Sequence, residues 1–284
     1  MHIIIGGTGQ VGSAAATALL GQGEPVTIVT RSPDKAADWG RRGAMAAVFD
    51  IHDTAALHDL LRTGQRLLIV NPPADPSTDT DAVELHSIRA ILAAVDGAGL
   101  ERIVAASTYG AKEGSSIGDL GTLHALEQGL ARLSVPAVIQ RGAYYMSNWA
   151  MAIEPAREHG LLPSFFPADF VLPMVAPADL GRSAAELMLA AKPEPLRHAE
   201  GPRRYAPADV AAAFSRQLNR TVTVAPVPPG QLEDTFLGFG FSPAAARSYA
   251  GMTRRAIETP PPDEDSVWKG LTTLDAFVEA LLEQ

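Results

Sequence analysis

The stretch that decides the fold is His2-Ile3-Ile4-Ile5-Gly6-Gly7-Thr8-Gly9-Gln10-Val11-Gly12. Its β-branched run is typical of a strand that is buried on both faces of a parallel sheet. Its glycines have the spacing Gly-x-x-Gly-x-x-Gly: Gly6 allows a tight turn, Gly9 lets the backbone approach a pyrophosphate, and Gly12 lets the following helix pack closely on the strand. The stretch therefore predicts a strand, a phosphate-binding turn and a helix whose N-terminal amides bind the anion.

Strands and helices alternate along the first half of the chain. Short apolar runs predict strands at 2–5, 25–30, 46–49, 66–70, 102–107 and 137–140. Helical patterns separate them at 13–20, 53–62, 81–95 and 120–133. Strands and helices in this alternation predict an α/β fold with a doubly wound parallel sheet of the Rossmann type.

The alternation of strand and helix patterns becomes less regular after residue 142, where aromatic residues and prolines become frequent. Weaker alternation resumes at 179–189, 204–205, 209–218 and 221–224, and the remaining helical patterns are 230–238, 243–256 and 272–283. We predict an NAD(P)-binding Rossmann domain over 1–142, to which about 176–224 return. A smaller, discontinuous C-terminal substrate lobe is predicted from 143–175 and 225–284.

The composition excludes several classes of function. The 284 residues contain no cysteine, which excludes disulfides, thiolate catalysis, zinc–sulfur sites and iron–sulfur clusters. The seven histidines include no pair at i, i+4, so no metal site is predicted. A net charge of −9 argues against a nucleic-acid partner, because phosphate contact needs a concentrated positive patch.

The sequence also predicts where the protein works. It has no run of about 18 apolar residues, so neither a membrane-spanning helix nor a membrane partner is predicted. No basic segment with a small-residue cleavage site precedes the first strand, so the expected compartment is the cytoplasm. A monomer and a homodimer both fit the pattern.

The end of the second strand indicates the choice of cofactor. An acidic residue there binds the ribose 2′-hydroxyl of NAD, whereas this sequence has Thr30-Arg31-Ser32. The Arg31 guanidinium suits a 2′-phosphate through charge-assisted hydrogen bonds, and Ser32 adds a hydroxyl donor. NADP(H) is therefore favoured, and NAD(H) stays the alternative.

Two further strand ends lie where a dinucleotide would pass. Asp50 is a candidate acceptor for the adenine amino group or a cap of the following turn, and Asn71-Pro72-Pro73 follows the fourth strand. The predicted cofactor-binding residues are Gly6, Thr8, Gly9, Gln10, Val11, Gly12, Arg31, Ser32, Asp50, Asn71, Pro72, Pro73 and Ser107.

Together these segments resemble the NmrA-like atypical short-chain dehydrogenase/reductase proteins, and among them the NADPH:quinone oxidoreductase-like members. The residues that carry the resemblance are 6–12, Thr30-Arg31-Ser32-Pro33, Asp50, Ser107, the helix around His124 and Glu127, and 141–148. It covers roughly residues 1–190 and continues weakly over 200–210. It implies a Rossmann domain with a small C-terminal substrate lobe. It also implies either NAD(P)H-dependent reduction, of quinones among others, or regulation by a bound dinucleotide without turnover.

The proton relay of typical short-chain reductases is missing from the pattern. These enzymes use Tyr-x-x-x-Lys with a serine, in which tyrosine donates a proton and lysine lowers its pKa. Tyr109 stands only two residues after Ser107 and has Glu113 at the lysine position, and the other tyrosines also lack lysine at that spacing. The helix has His124 and Gln128 where the pair is expected. We therefore expect chemistry without a Tyr–Lys pair.

Quinone reduction has a lower requirement, since an electrophilic ring needs mainly to be positioned against the nicotinamide. The candidate catalytic residues are Ser107, His124, Tyr144 and Tyr145, and the candidate substrate residues are Tyr109, Tyr144, Tyr145, Asn148 and Trp149. We predict an NADPH-dependent oxidoreductase that transfers hydride to a quinone or a flat, polyketide-like aromatic. The alternatives are an NADP(H)-binding redox sensor without turnover and an aromatic natural-product tailoring enzyme that oxygenates or isomerises.

Structural roles stay open for several polar residues. Ser107 is expected either to donate a hydrogen bond to a substrate oxygen or to the nicotinamide amide, or to cap a strand-end turn. His124 also fits a helix histidine that is bonded on the sheet side. The aromatic residues after Arg141 are expected to include at least one core residue. A solvated loop and a helix cap are predicted for the acidic residues Asp75, Asp79, Asp81 and Glu84.

Overall fold

The computed structural model describes residues 1–283 and alternates strands with helices from its first residues onward. Its strands are β1 His2–Ile5, β2 Val26–Thr30, β3 Met45–Val48, β4 Arg66–Ile69, β5 Arg102–Thr108, β6 Ala137–Gly142, β7 Tyr144–Tyr145, β8 Leu161–Ser164, β9 Leu172–Val175, β10 Leu196–Glu200, β11 Arg204–Tyr205, β12 Thr223–Pro226 and β13 Trp268–Lys269. Its α-helices are α1 Gln10–Gly21, α2 Pro33–Arg41, α3 Thr54–Leu61, α4 Thr80–Val95, α5 Asp119–Leu130, α6 Ile153–His159, α7 Pro177–Leu189, α8 Pro207–Leu218, α9 Leu232–Gly238, α10 Pro243–Glu258 and α11 Leu274–Leu282. Segments of 3-10 helix are Met146–Ala152, Pro229–Gln231 and Glu264–Ser266.

Eight of these strands form one parallel sheet in the order β13-β10-β6-β5-β4-β1-β2-β3. The order reverses at β1, which pairs with β2 on one side and with β4 on the other. Open α/β sheets bind ligands in the crevice beyond the carboxyl ends of the strands at such a reversal. The predicted α/β class with a doubly wound parallel sheet is confirmed.

Helices cover both faces of the sheet, which is why β1 is buried along its whole length. Ile3 and Ile5 face a core that includes side chains of α3, α4 and α5, whereas Ile4 faces one that includes side chains of α1 and α7. Helices α1 and α7 come close because position 181 is glycine: a Cβ on Gly181 would lie 2.5 Å from the Val11 carbonyl oxygen. The N-terminus of α1 is therefore fixed from both the sheet and the neighbouring helix.

A second core forms the smaller lobe. Its larger buried side chains are Met146, Trp149, Phe166, Tyr205, Phe214 and Val278. Two small sheets belong to this lobe, because β9 pairs with β7 and β11, and β8 pairs with β12. Helices α8 and α11 complete it with Phe214 and Val278.

The segment 176–224 divides between the two cores and does not return to the main sheet as a whole. α7 packs on that sheet and β10 extends it, whereas β11 and β12 pair with strands of the smaller lobe. α8 buries Val210 and Phe214 in the lobe, since the faces of the main sheet are already covered. Conversely, β13 lies within the predicted lobe segment 225–284 but pairs with β10 at the edge of the main sheet.

Residues 1–283 contain neither a membrane-spanning helix nor a cluster of metal-ligating side chains. No helix there has the length and apolar character needed to cross a membrane. No group of three or more potential metal-ligating side chains is placed to hold an ion in the same range.

Glu200, the last residue of β10, joins the sheet to the segments around it. Its carboxylate is fully buried and accepts hydrogen bonds from Arg204 Nη2 at 3.2 Å and from Lys269 Nζ. The hydroxyl of Tyr109, which follows β5, donates to the same carboxylate at 3.3 Å. Charge-assisted hydrogen bonds of this kind are strong, and a charge left without its partner is costly. Glu200 therefore ties β11 to the main sheet and holds the edge strand β13 in place.

We expect Glu200→Gln to lower the free energy of unfolding by about 2–4 kcal/mol, because it removes the negative charge that Arg204 and Lys269 share. Urea denaturation followed by circular dichroism measures this loss. Glu264→Gln is the matched control, since Glu264 meets the same Arg204 at 3.2 Å from a side chain that is 54% exposed. Glu264→Gln should lower the free energy of unfolding by less than about 1 kcal/mol. Equal losses in the two variants would contradict the anchoring role of Glu200.

Candidate active site

The phosphate loop between β1 and α1 is held in a tight turn. Gly6 has a φ of +74°, and a Cβ at this position would lie 2.4 Å from the Val70 carbonyl oxygen. A Cβ on Gly12 would lie 2.3 Å from the Gly6 carbonyl oxygen, whereas one on Gly9 would meet nothing nearer than 3.5 Å. No side chain caps α1, so its first amides stay open to an anion. Accessibility differs among the other predicted loop residues, which are half-buried Thr8, exposed Gln10 and buried Val11.

Arg31 leaves the end of β2 with an accessible guanidinium. Its side chain is 78% exposed, and its Nη1 atom lies 4.0 Å from Asp50 Oδ2. The Ser32 hydroxyl accepts the Lys35 N–H at 3.3 Å and caps α2, which leaves its own proton free to donate. Asp50 accepts hydrogen bonds from the His52 backbone N–H at 2.9 Å and from Nδ1 at 2.7 Å, and these lower the pKa of its carboxyl. The exposed guanidinium beside a hydroxyl suits an anion.

Asn71 follows β4 at the crevice where the strand order reverses. Its Oδ1 atom is buried and has no hydrogen-bond partner among residues 1–283. Such an orphaned acceptor is costly unless a ligand supplies a donor. Pro72 and Pro73 come next and end the strand. The glycine turn has open amides, Arg31 has an accessible guanidinium, and Asn71 Oδ1 lacks a donor. This edge of the sheet therefore fits a phosphorylated dinucleotide.

Ser107, at the carboxyl end of β5, is part of a charged network. Its hydroxyl donates to Glu127 Oε1 at 2.5 Å. Arg141 donates to the same carboxylate through Nε at 2.9 Å and Nη2 at 2.6 Å, and this hydrogen bonding raises the pKa of Arg141. Because the one proton of the Ser107 hydroxyl is committed, a ligand meets only an acceptor there. The expected donation from Ser107 to a substrate oxygen or to the nicotinamide does not fit this arrangement.

Tyr109 is also committed to a carboxylate. Its hydroxyl donates to Glu200 Oε2 at 3.3 Å, and its ring packs edge-on against His198 with centroids 5.3 Å apart. Burial and the charge of Glu200 raise the pKa of Tyr109. A lysine beside a catalytic tyrosine has the opposite effect, and Lys269 bonds to Glu200 instead. Tyr109 is therefore placed as a structural contact to β10 more than as a substrate contact.

His124 lies on α5 one turn before Glu127, so both side chains share a face of the helix. Its side chain is half-buried. The Nδ1 atom is buried without a hydrogen-bond partner among the described residues. The sheet-side bond of a structural histidine is therefore not made at Nδ1.

Tyr144 and Trp149 belong to the core of the smaller lobe. Trp149 is 2% exposed, and the two rings meet edge to face with centroids 5.9 Å apart. Burial raises the pKa of Tyr144 to about 12, in part offset by a hydrogen bond with Asn148. Asn148 itself is exposed. Trp149 is thus the expected core residue of this segment and offers no accessible wall to a substrate.

An acidic cluster, which the sequence does not reveal as buried, lies between α4 and α5. Glu84 is 5% exposed, and its carboxyl accepts the Ala74 N–H at 3.3 Å and the Thr122 hydroxyl at 3.1 Å. Burial raises the pKa of Glu84 to about 7, and the charge of Asp119 adds to the rise. Desolvation raises the pKa of Asp119 as well. The predicted solvated character is therefore wrong for Glu84, because α5 packs over this face of α4.

The rest of the acidic stretch has the predicted loop and cap roles. Asp79 caps α4 by accepting the Ala82 N–H at 3.1 Å. Asp75 closes a turn by accepting the Ser77 N–H at 2.9 Å. These two carboxylates therefore stabilise the loop that leads into α4.

Helix α10 closes over the loops beside α4 and α5. The Ser248 hydroxyl donates to Asp81 Oδ1 at 2.6 Å and accepts the Gly118 N–H at 2.7 Å. The Ser242 hydroxyl donates to the Thr78 carbonyl oxygen at 2.6 Å. These bonds place Tyr249, on α10, above the N-terminus of α5.

Three side chains lie close enough to interact electrostatically, and we call the region between them the recess: Asp119, Tyr145 and Tyr249. Asp119 is exposed and both tyrosines are partly accessible. Burial, together with the charge of Asp119, raises the pKa of each tyrosine. Tyr145 also packs against the apolar cluster of Val11 and Val70 beside the phosphate loop. The recess therefore lies next to the crevice that fits a dinucleotide.

Comparisons with known proteins agree with this geometry. Residues 6–132 match a family model described as NAD(P)H-binding. Over 272 residues the chain is 24% identical to the NAD(P)H azoreductase of Xenophilus azovorans, and the match covers 93% of this chain and 88% of that protein.

Solved structures share the fold along the whole chain. The NADPH-dependent quinone oxidoreductase of Escherichia coli in complex with NADPH has a TM-score of 0.83 at 22% identity, covering 99% of both chains. The Citrobacter sp. triphenylmethane reductase complexed with NADP(H) has a TM-score of 0.83 at 17% identity, again covering 99% of both chains. Residues 6–132 thus match an NAD(P)H-binding model, and the resemblance that the sequence indicates is borne out in the fold, which the chain shares with these two reductases.

Proposed function

We propose that the protein is an NADPH-dependent oxidoreductase that reduces a quinone or a related flat aromatic molecule by hydride transfer. The observation that carries the proposal is the position of Tyr145. Its side chain packs against the apolar cluster that contains Val11 beside the phosphate loop, and it also belongs to the recess through its electrostatic interaction with Asp119. A flat acceptor in the recess would lie against the end of the bound cofactor.

The cofactor-binding part of the proposal rests on groups that can still bind a ligand. The open amides of α1 would bind the pyrophosphate, and Arg31 with the free Ser32 proton would bind a 2′-phosphate. Asn71 Oδ1, which is buried without a partner, would accept a donor from the cofactor. Bound NADPH supplies the hydride. The residues of the chain align the two rings and limit the access of water.

The same geometry supports chemistry without a Tyr–Lys pair. The proton of Ser107 is held by Glu127, and that of Tyr109 is held by Glu200. Neither hydroxyl is arranged to pass its proton to a carbonyl oxygen. Ser107 would instead accept a hydrogen bond, for example from an amide N–H of the nicotinamide. This limits the enzyme to acceptors that are electrophilic without acid activation, which quinones are.

The named relatives support this class of acceptor. One of them is an azoreductase, and the similar solved structures include a quinone oxidoreductase and a triphenylmethane reductase. These names share conjugated aromatic acceptors. We further propose that the protein is cytoplasmic. We also propose that it forms a homodimer, which light scattering of the purified protein tests.

A redox sensor is the second candidate, and the committed hydroxyls of Ser107 and Tyr109 favour it. A sensor binds NADP(H) through the same groups but needs no proton donor or acceptor site. The two functions differ in whether bound NADPH is consumed.

We expect the purified protein to oxidise NADPH in the presence of simple benzoquinones and naphthoquinones, because these electrophilic rings need no acid activation. Loss of NADPH absorbance, corrected for the reaction without protein, measures turnover. Tight NADPH binding with no turnover on any quinone would reject the reductase and leave the sensor.

We expect Arg31→Ala to weaken NADPH binding by about 10- to 100-fold, since it removes charge-assisted hydrogen bonds to the 2′-phosphate. NADH binding should change by less than about threefold, because NADH has no such phosphate. Fluorescence titration with both cofactors gives the two dissociation constants. Arg41→Ala, which removes another exposed arginine, is the control and should leave both unchanged. An equal loss for NADH and NADPH would refute the role of Arg31.

We expect Gly12→Ala to weaken NADPH binding by about 100-fold, because the new Cβ would push α1 away from the Gly6 carbonyl oxygen. Gly40→Ala is the control, since a Cβ there meets nothing within 4 Å. Binding is measured by calorimetry, and melting temperature shows whether each variant is folded. Unchanged affinity in a folded Gly12→Ala variant would mean that the turn does not hold the cofactor.

A further inference from the structure

Ser107 and Arg141 stand side by side at the carboxyl ends of two neighbouring strands. They are register partners on the parallel strands β5 and β6, so both side chains lie on the same face of the sheet. Helix α5 packs on that face and brings Glu127 into contact with both of them. The side chain of Glu127 is 10% exposed and that of Arg141 is 22% exposed, so the contact is largely shielded from water.

The direction of each hydrogen bond in this group of three side chains is fixed. Arg141 Nε donates to Glu127 Oε1 at 2.9 Å, and Arg141 Nη2 donates to Oε2 at 2.6 Å. A guanidinium has no acceptor, so both oxygens of the carboxylate accept from it. Ser107 Oγ lies 2.5 Å from Glu127 Oε1, and its hydroxyl is the donor in that bond. The serine proton is therefore held by α5, and the lone pairs of the hydroxyl remain for another donor.

Those lone pairs have no donor within the protein. Ser107 is 4% exposed, and no N–H or O–H group among residues 1–283 donates to its Oγ atom. An acceptor that is nearly buried gains from a donor on a ligand. Ser107 ends the strand next to β4, at the edge of the sheet where Asn71 Oδ1 also lacks a donor. A ligand that fills this edge would satisfy both acceptors.

The order of the strands indicates which part of a dinucleotide would reach Ser107. NADP(H) has two amino groups that can donate, one on adenine and one on the carboxamide of the nicotinamide. Arg31, which would bind the 2′-phosphate of the adenosine half, follows β2, whereas Ser107 lies on β5, on the opposite side of β1. The adenine half would therefore lie towards β2 and the nicotinamide half towards β5. The carboxamide is thus the amino donor on the side of Ser107.

We propose that Glu127 and Arg141 are positioning residues, which orient the Ser107 hydroxyl as an acceptor for the carboxamide N–H of the nicotinamide. Arg141 holds the carboxylate, the carboxylate holds the serine proton, and the serine lone pair limits the rotation of the carboxamide. The proposal rests on the cofactor-binding part of the proposed function. It concerns the cofactor and not the acceptor, so it applies to a reductase and to a sensor alike.

The analogue of NADP⁺ that contains 3-acetylpyridine tests the contact, because it keeps the carbonyl oxygen but has a methyl group in place of the amino group. We expect the unaltered protein to bind NADP⁺ about 5- to 10-fold more tightly than this analogue, since the analogue offers Ser107 no donor. Ser107→Ala should reduce the ratio of the two dissociation constants to less than about twofold. Calorimetric titration of each variant with both cofactors gives the ratio, and no turnover is needed.

Glu127→Gln should also reduce the ratio to less than about twofold, because an amide can donate to Ser107 and release the serine proton towards the cofactor. Arg141→Lys keeps the positive charge but cannot hold both carboxylate oxygens, and it should reduce the ratio to less than about threefold. It serves as the second variant if Glu127→Gln does not fold, which melting temperature shows. Glu186→Gln is the control, since its carboxylate also accepts from an arginine, Arg197 at 3.1 Å, but makes no hydrogen bond with Ser107. It should leave the ratio unchanged.

The ratio separates positioning from general stability, because a distorted site weakens the binding of both cofactors alike. Equal affinity of the unaltered protein for NADP⁺ and the analogue would overturn the acceptor role of Ser107. An unchanged ratio in the folded Glu127→Gln and Arg141→Lys variants would overturn the positioning role, and the three side chains would then only tie α5 to the sheet. No binding of NADP⁺ would overturn the proposed function and this role together. Absence of quinone turnover with the expected ratios would reject the reductase alone and support the positioning role.

Discussion

The contact between α1 and the turn before it is the constraint on which the rest of the molecule depends. Gly12 has no Cβ, so the helix can rest on the Gly6 carbonyl oxygen at a distance that any side chain would prevent. Gly181 allows α7 to pack equally close on the other side of α1. The helix therefore points its free amides at the crevice where the strand order reverses. The positions of Arg31, Asn71 and the recess all follow from where that crevice lies.

The strand–helix alternation was sufficient to predict six of the eight strands of the main sheet, because buried parallel strands have a continuous apolar pattern. The sequence did not reveal α2, whose residues are largely charged and whose start depends on the Ser32 cap. It also could not assign β13, since two residues become a strand only because the edge of β10 is free. The shared lobe core, built from segments far apart in sequence, has no local signal. Domain boundaries after residue 175 were therefore the least predictable part.

In the site, the sequence indicated the position of the phosphate loop more clearly than the hydrogen-bond roles of the polar side chains. Ser107 was recognisable from its place after a strand, but its partner Glu127 is 20 positions away and Arg141 is further still. Their contact exists only in the fold, and it decides that the serine accepts instead of donates. Glu84 shows the same limit, since its neighbours in sequence are solvated while the packing of α5 buries it. Chemistry that depends on a hydrogen-bond direction cannot be derived from spacing.

Helix α10 contributes Tyr249 to the recess, yet it comes late in the chain and contains none of the dinucleotide-binding residues. Its attachment to the neighbouring loops includes the hydroxyls of Ser242 and Ser248, which are short neutral side chains. Tyr249 is thus placed by contacts that do not involve the phosphate loop at the other end of the sequence. A protein in which the acceptor side and the phosphate loop are separated in this way can accept new substrates after small shifts of one helix, while its hydride donor stays the same.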